Sequence, residues 1–264
     1  MPEFSANLSV LFTENSLLDR FQAAADSGFK AVEIQFPYDE KADDLKAAAD
    51  EAGVIIALIN VPAGDLLEGG KGLAGIPGKK QEYQQALDLC VSYAEVLEPR
   101  CINVLAGREE DPEKLYDCHR TFISNLRHTA EALDKLGTTT VFEAVNTHDM
   151  PGFLVHNLRE QIEILEEVQH PEVMLQYDIY HMSRMGEHVC ENIFEHARLI
   201  GHIQFADAPG RGEPGTGEID FKAVFKAIDD SSFNGWTGAE YNPTSSTQES
   251  LNFIHSMAGQ VDPY

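Results

Sequence analysis

Eight apolar, strand-like runs alternate with helical stretches along 264 residues, and that alternation predicts one α/β domain, a single (β/α)8 barrel over residues 1–264. Two further observations point the same way. Four of the runs close on a carboxylate or an amide, at Glu143, Asp178, Gln204 and Glu240, each 26 to 36 positions from the next, the length of one strand–helix unit. No linker or low-complexity stretch divides the chain.

Residues 4–9 read as the first strand, and 17–27 carry apolar side chains at helical spacing up to Gly28, a C-cap signal. Residues 30–36 form the second strand and 43–52 the second helix, closed by Gly53. The unbroken apolar run 54–59 suits a strand buried on both faces. A Gly/Pro-rich stretch follows over 60–79, long for a connection inside a compact domain, and such loops are usually functional. Helix resumes over 81–97, a strand spans 101–105, and 112–136 reads as a long helix ended by Gly137. The fifth strand ends at Glu143; the next helix covers 157–168, with Asn157 as its expected N-cap. The sixth strand ends at Asp178, a short helix is expected over 186–197, and the seventh strand ends at Gln204. A second Gly/Pro-rich loop over 209–217, a helix over 221–229, a strand over 236–239 and a helix over 247–257 complete eight pairs, which right-handed crossovers close into a barrel.

Hydrophobic content of 43% is enough for a full core. No apolar run approaches the roughly 18 residues of a membrane span, and the start of the chain lacks the basic and apolar regions of a secretory signal. The expectation is a soluble, cytoplasmic protein with no membrane partner. Cys90, Cys101, Cys118 and Cys190 are scattered without a CxxC pair, as in reduced, buried thiols. A net charge of −25 repels nucleic acid and anionic lipid, so no nucleic-acid partner is expected. The same charge means that an anionic substrate needs a local positive site. A homo-oligomeric assembly stays open.

In a parallel barrel all C-terminal strand ends meet at one rim, where active sites lie. Glu143, Asp178, Gln204 and Glu240 then come from four consecutive strands. Three carboxylates and an amide suit a hard divalent cation, Mg²⁺ or Mn²⁺. Any one of them serves equally well as a helix cap or an ion-pair partner; all four at consecutive strand ends do not. A cation flanked by two glutamates suits proton movement beside a carbonyl, with one carboxylate taking a proton from carbon and the other returning one. Arg211 is the best counter-charge for a substrate carboxylate, because its fork binds two oxygens, and Glu213 is its acidic neighbour. His181, Asn60 and Asn7 join Arg211 and Glu213 as substrate-binding candidates. Lys71, Lys79 and Lys80 are weaker ones. His202 reads as a satisfied interior histidine, and the glycines around Arg211 and Thr216 as flexible lid chemistry rather than a phosphate loop.

The chain resembles the hydroxypyruvate isomerase family of the xylose-isomerase-like TIM barrels, a family that includes 2-oxo-tetronate isomerases. The resemblance runs through 4–9, 28–33, 36–38, 59–65, 72–73 with 77–78, and 105–107. It continues through 142–146, 176–181, 201–204, 209–214, 217–219 and 238–241, in that order. It implies interconversion of hydroxypyruvate and 2-hydroxy-3-oxopropanoate (tartronate semialdehyde), or of a related small 2-oxo-3-hydroxy acid such as 2-oxo-tetronate. It implies that Glu143 and Glu240 are proton acceptor and donor. It also implies that Glu143, Asp178, Gln204 and Glu240 bind the divalent ion, and it aligns His181 with a histidine that related epimerases place against substrate oxygens. The chain departs from the family at Ala144-Val145, at Lys79, and at Asn242-Pro243-Thr244, where relatives carry a basic residue. A ketose 3-epimerase is disfavoured because those relatives present histidine where Gln204 stands. A non-catalytic sugar-acid-binding barrel is disfavoured by the intact rim. An endonuclease-like barrel is disfavoured by the acidic balance and the scarcity of rim histidines.

Overall fold

The computed structural model describes residues 1–254. Eight parallel strands close into a barrel in sequence order: β1 Phe4–Asn7, β2 Ala31–Ile34, β3 Ile55–Asn60, β4 Cys101–Asn103, β5 Thr139–Glu143, β6 Val173–Asp178, β7 Ile200–Phe205 and β8 Thr237–Ala239. The helices between them are α1 Leu17–Asp26, α2 Ala42–Ala52, α3 Lys80–Leu97, α4 Leu115–Leu133, α5 Leu158–Val168, α6 Ile179–Arg184, α7 Val189–His196, α8 Phe221–Asp230 and α9 Thr247–Ser250. The barrel expectation therefore holds.

Local chemistry sets the element ends. The carbonyls at the end of α2 are closed by Gly53 at φ +68, and Gly137, also at φ +68, ends the 3₁₀ turn that follows α4. Asn157 caps α5 by accepting from the Glu160 amide at 2.9 Å. Two expectations need correction. The helix expected over 112–136 is α4 plus a 3₁₀ turn, Asp134–Leu136. The single helix expected after β6 is two, because the Asp178 side chain accepts from the His181 amide and starts α6 at once. Of the last expected helix, residues 255–257 lie outside the described residues.

The main core lies between the barrel wall and the helices. At its densest, Phe205 on β7 meets Phe4, Phe221, Phe225, Phe253 and Tyr241 with ring centroids 5.3 to 6.3 Å apart. The barrel interior is divided. Leu58, Cys101, Val141 and Met174, from β3 to β6, form a separate apolar plug. Ser5, Glu33 and His202, from β1, β2 and β7, form a buried polar layer. Cys90, Cys101, Cys118 and Cys190 are all unpaired. Among the described residues no helix is long and apolar enough to cross a membrane.

Most of the acidic residues behind the charge of −25 lie outside the core, and self-repulsion among them opposes the folded state. Raising NaCl from about 0.01 M to about 1 M shortens the screening length from about 30 Å to about 3 Å. The melting temperature, followed by differential scanning fluorimetry, is expected to rise by on the order of 5 °C; a flat or falling curve would show that the charges are already balanced locally.

Candidate active site

At the C-terminal ends of the strands lies a cavity of about 250 Å³. Asn60, Glu143, Gln176, Gln204 and Glu240 project into it from the strand ends, His181 from α6, and Arg211 from the loop after β7. Leu67, Leu105 and Met150 close its sides. The parallel register explains the convergence: Glu143 pairs with Gln176, Asp178 with Gln204, and Gln204 with Gly238, two residues before Glu240.

Glu143 is buried and accepts from Asn103 Nδ2 at 2.7 Å. Burial, and then the negative charge of Asp178, push its pKa up to about 7, against the Asn103 bond and the Arg211 charge. Asp178 does two things. One oxygen caps α6; the other lies 3.7 Å from His181 Nε2 and 4.0 Å from Arg211. His181 is lowered to about 4, chiefly by burial, with Asp178 opposing. It is a neutral ring at pH 7, paired through Nδ1 with the Asn146 amide at 2.7 Å.

Glu240 has a different environment. It accepts from Arg211 at 2.5 Å, Gln35 at 3.1 Å and Asn7 at 3.1 Å. Burial raises its pKa well above the ordinary carboxylate value, and Arg211 pulls it back while Asp178, Glu143 and Glu33 add to the rise. The Arg211 guanidinium also lies over the Tyr180 ring, 5.0 Å from its centroid. Arg211 sits at φ +56, and its carbonyl accepts from the Asn242 amide at 2.8 Å. Its loop is pinned from below by buried Asp207, which accepts from the amides of Gly215, Gly217 and Ile219 at 2.8 to 3.0 Å. A Cβ at Gly217 would lie 2.1 Å from the Ala208 carbonyl oxygen, so glycine is required there. The loop read from sequence as flexible is thus tied to an internal anion.

Of the residues singled out in the sequence, Glu143, Asp178, Gln204, Glu240, His181, Arg211 and Asn60 meet at the rim. Asn7 lies beneath it, fully buried, holding Glu240. His202 is bonded to Glu33 in the interior at 2.8 Å. Glu213 does not join the site. Its carboxylate turns to Thr244, accepting from the hydroxyl at 2.6 Å and the amide at 3.0 Å, and Arg211 answers Glu240 instead. None of the three lysines lines the cavity; Lys71 pairs with Glu109 and Lys79 with Asp65. Sequence reading missed Asn103, Gln176, Gln35 and Glu33. Their signal was placement near a strand end: Asn103 closes β4, Glu33 and Gln35 flank the last residue of β2, and Gln176 lies two residues before Asp178 on β6.

Glu143, Asp178 and His181 present ligand atoms within 4.8 Å of one another. Two carboxylate oxygens and a neutral imidazole nitrogen fit a divalent cation. Gln204 lies beside Asp178 in register, with its amide oxygen accepting from Gln176 at 2.6 Å, while Glu240 is drawn toward Arg211.

The comparisons with known proteins agree with this architecture. The family model described as "Xylose isomerase-like TIM barrel" matches residues 21–257. Hydroxypyruvate isomerase of Escherichia coli K12 is 39% identical over 264 residues, 100% of both chains. The 2-oxo-tetronate isomerase of Cupriavidus necator is 35% identical over 260 residues, 98% of this chain and 100% of that one. A crystal structure from Brucella melitensis, described as an AP endonuclease of family 2, superposes with a TM-score of 0.92 at 34% identity, covering 97% of this chain and 99% of that one. This chain belongs to the xylose isomerase-like TIM barrel family, alongside the hydroxypyruvate isomerases.

Proposed function

We propose that this chain is an aldose–ketose isomerase that interconverts hydroxypyruvate and 2-hydroxy-3-oxopropanoate, with 2-oxo-tetronate as the nearest alternative substrate. One observation carries the reading: two buried glutamates, Glu143 and Glu240, line one small cavity in unlike environments. One glutamate takes a proton from C3 of hydroxypyruvate, giving an enediolate. The other delivers a proton to C2, and the hydroxyl proton passes from O3 to O2, so composition is unchanged. A group poised near pH 7, as Glu143 is, exchanges protons in both directions at neutral pH. Arg211 supplies the positive charge for the substrate carboxylate in a chain that is otherwise strongly acidic. We assign His181 and Asn60, which line the cavity, to hydrogen bonds with substrate oxygens.

Glu143, Asp178, Gln204 and Glu240 are the residues we assign to a divalent ion, Mg²⁺ or Mn²⁺, with His181 adjoining them. When bound, such an ion supplies positive charge to the substrate's carbonyl and hydroxyl oxygens. The four unpaired cysteines support a reducing, cytoplasmic setting. The charge of −25 argues against DNA as the substrate, despite the description of the Brucella melitensis structure.

In heavy water with Mn²⁺, hydroxypyruvate is expected to gain deuterium at C3 and to give the aldehyde by NMR. EDTA is expected to stop both, and absence of exchange in metal-loaded protein would reject the isomerase. Glu143→Gln and Glu240→Gln should each lose about 10²–10⁴-fold in kcat; full activity would show the proton carriers to be misassigned. Arg211→Lys keeps the charge but loses the fork, so KM for hydroxypyruvate is expected to rise on the order of tenfold with a smaller change in kcat.

Stability supplies a separate check. The folded pKa of Glu143, about 7, exceeds the ordinary 4.5. Its contribution is therefore fully present below the ordinary value and is lost as pH rises through about 7. Glu143→Gln, in EDTA, is expected to leave the melting temperature unchanged near pH 4.5 and to raise it by on the order of 5 °C above pH 7. A difference independent of pH would contradict the raised pKa.

A further inference from the structure

Beneath the rim, Glu33 on β2 is fully buried. Its Oε1 accepts from Ser5 at 2.6 Å and His202 at 2.8 Å, and its Oε2 from Gln204 at 2.7 Å and Asn7 at 3.3 Å. The barrel is built to hold it. A Cβ at Gly238 on β8 would lie 1.9 Å from Glu33 Oε1, so only glycine leaves room for the carboxylate. The β2–β3 register shifts between Val32 and Glu33, and the β6–β7 register shifts between Leu175 and Gln176. Register shifts of this kind re-aim single side chains beside active sites, and here they fall on Glu33 and Gln176.

We propose that Glu33 is a positioning residue that sets the direction of an amide relay reaching both rim glutamates. A carboxylate accepting four hydrogen bonds dictates which end of each neighbouring amide faces it. Gln204 turns its NH₂ to Glu33, so its amide oxygen faces Gln176 and takes the Gln176 NH₂ at 2.6 Å. Gln176 in turn is the register partner of Glu143 on the neighbouring strand, and both line the cavity. It keeps its own oxygen as a buried acceptor without a partner among the described residues. The second arm is shorter: Asn7 Nδ2 bridges Glu33 and Glu240 Oε2 at 3.3 and 3.1 Å. Reversing either amide would bring two donors or two acceptors face to face and push a rim glutamate off its position. Glu33 acts through others and does not line the cavity. The isomerase reading above enters only as the source of the kinetic readout.

The test is Glu33→Gln, which keeps shape but cannot accept at both oxygens. With folding checked by circular dichroism, kcat on hydroxypyruvate is expected to fall about 10- to 100-fold, with KM changed less than about threefold and partial recovery in Glu33→Asp. A lowered melting temperature with kcat unchanged would show Glu33 to be structural only. Should Glu33→Gln not fold, Asn7→Leu cuts the shorter arm at a residue that does not line the cavity; the same kcat loss supports the relay and unchanged kcat overturns it. Should wild-type protein turn over neither hydroxypyruvate nor 2-oxo-tetronate, the isomerase reading fails, and the relay is decided by a crystal structure that separates amide N from O. Gln204 nitrogen on Glu33 with Gln176 nitrogen on Gln204 supports it; the reverse orientation overturns it.

Discussion

The architecture depends on keeping four carboxylates, Glu33, Glu143, Asp178 and Glu240, inside one end of a barrel with a single guanidinium among them. Desolvating that much negative charge is costly, and each group needs its own compensation. Glu33 receives four neutral or histidine donors, Asp178 a helix N-terminus, Glu240 an arginine and two amides, and Glu143 one asparagine. Burial raises the pKa of both rim glutamates, Glu143 to about 7 and Glu240 well above the ordinary carboxylate value, with Arg211 opposing the rise in each. The division of the interior into an apolar plug and a polar layer follows from the same need, since donors are concentrated where the acceptors are.

The loops complete this arrangement. Asp207 ties the glycine-rich segment after β7 through backbone amides, and that segment carries Arg211 back over the rim. Arg211 therefore joins the seventh and eighth units, with its carbonyl on Asn242 and its guanidinium on Glu240. Half-buried Glu213 is satisfied by Thr244 and leaves Arg211 free of a competing partner outside the cavity.

The fold was legible because strand and helix periods alternate cleanly and glycines mark the helix ends. The rim was legible because a carboxylate closing an apolar run stands out. Glu33, Gln176 and Asn103 were not, since their direction depends on register shifts and on strands far away in sequence. The α6 helix was hidden for a related reason: its start signal, Asp178, had already been read as a ligand, and one oxygen serves each purpose. Glu213 was misread because proximity in sequence to Arg211 carries no information about which anion a left-handed turn presents it to.

That left-handed turn sets a limit on improving the protein. At φ +56 a side chain such as arginine is held in a conformation costing on the order of 1–3 kcal/mol, and glycine would relieve it. Arg211→Gly would also strip the buried rim carboxylates of their counter-ion, and breaking such a pair costs about 3–5 kcal/mol, more than the relieved strain returns. The strained backbone of Arg211 is thus held in place by the acid it neutralises, and a thermostable descendant must gain its stability elsewhere.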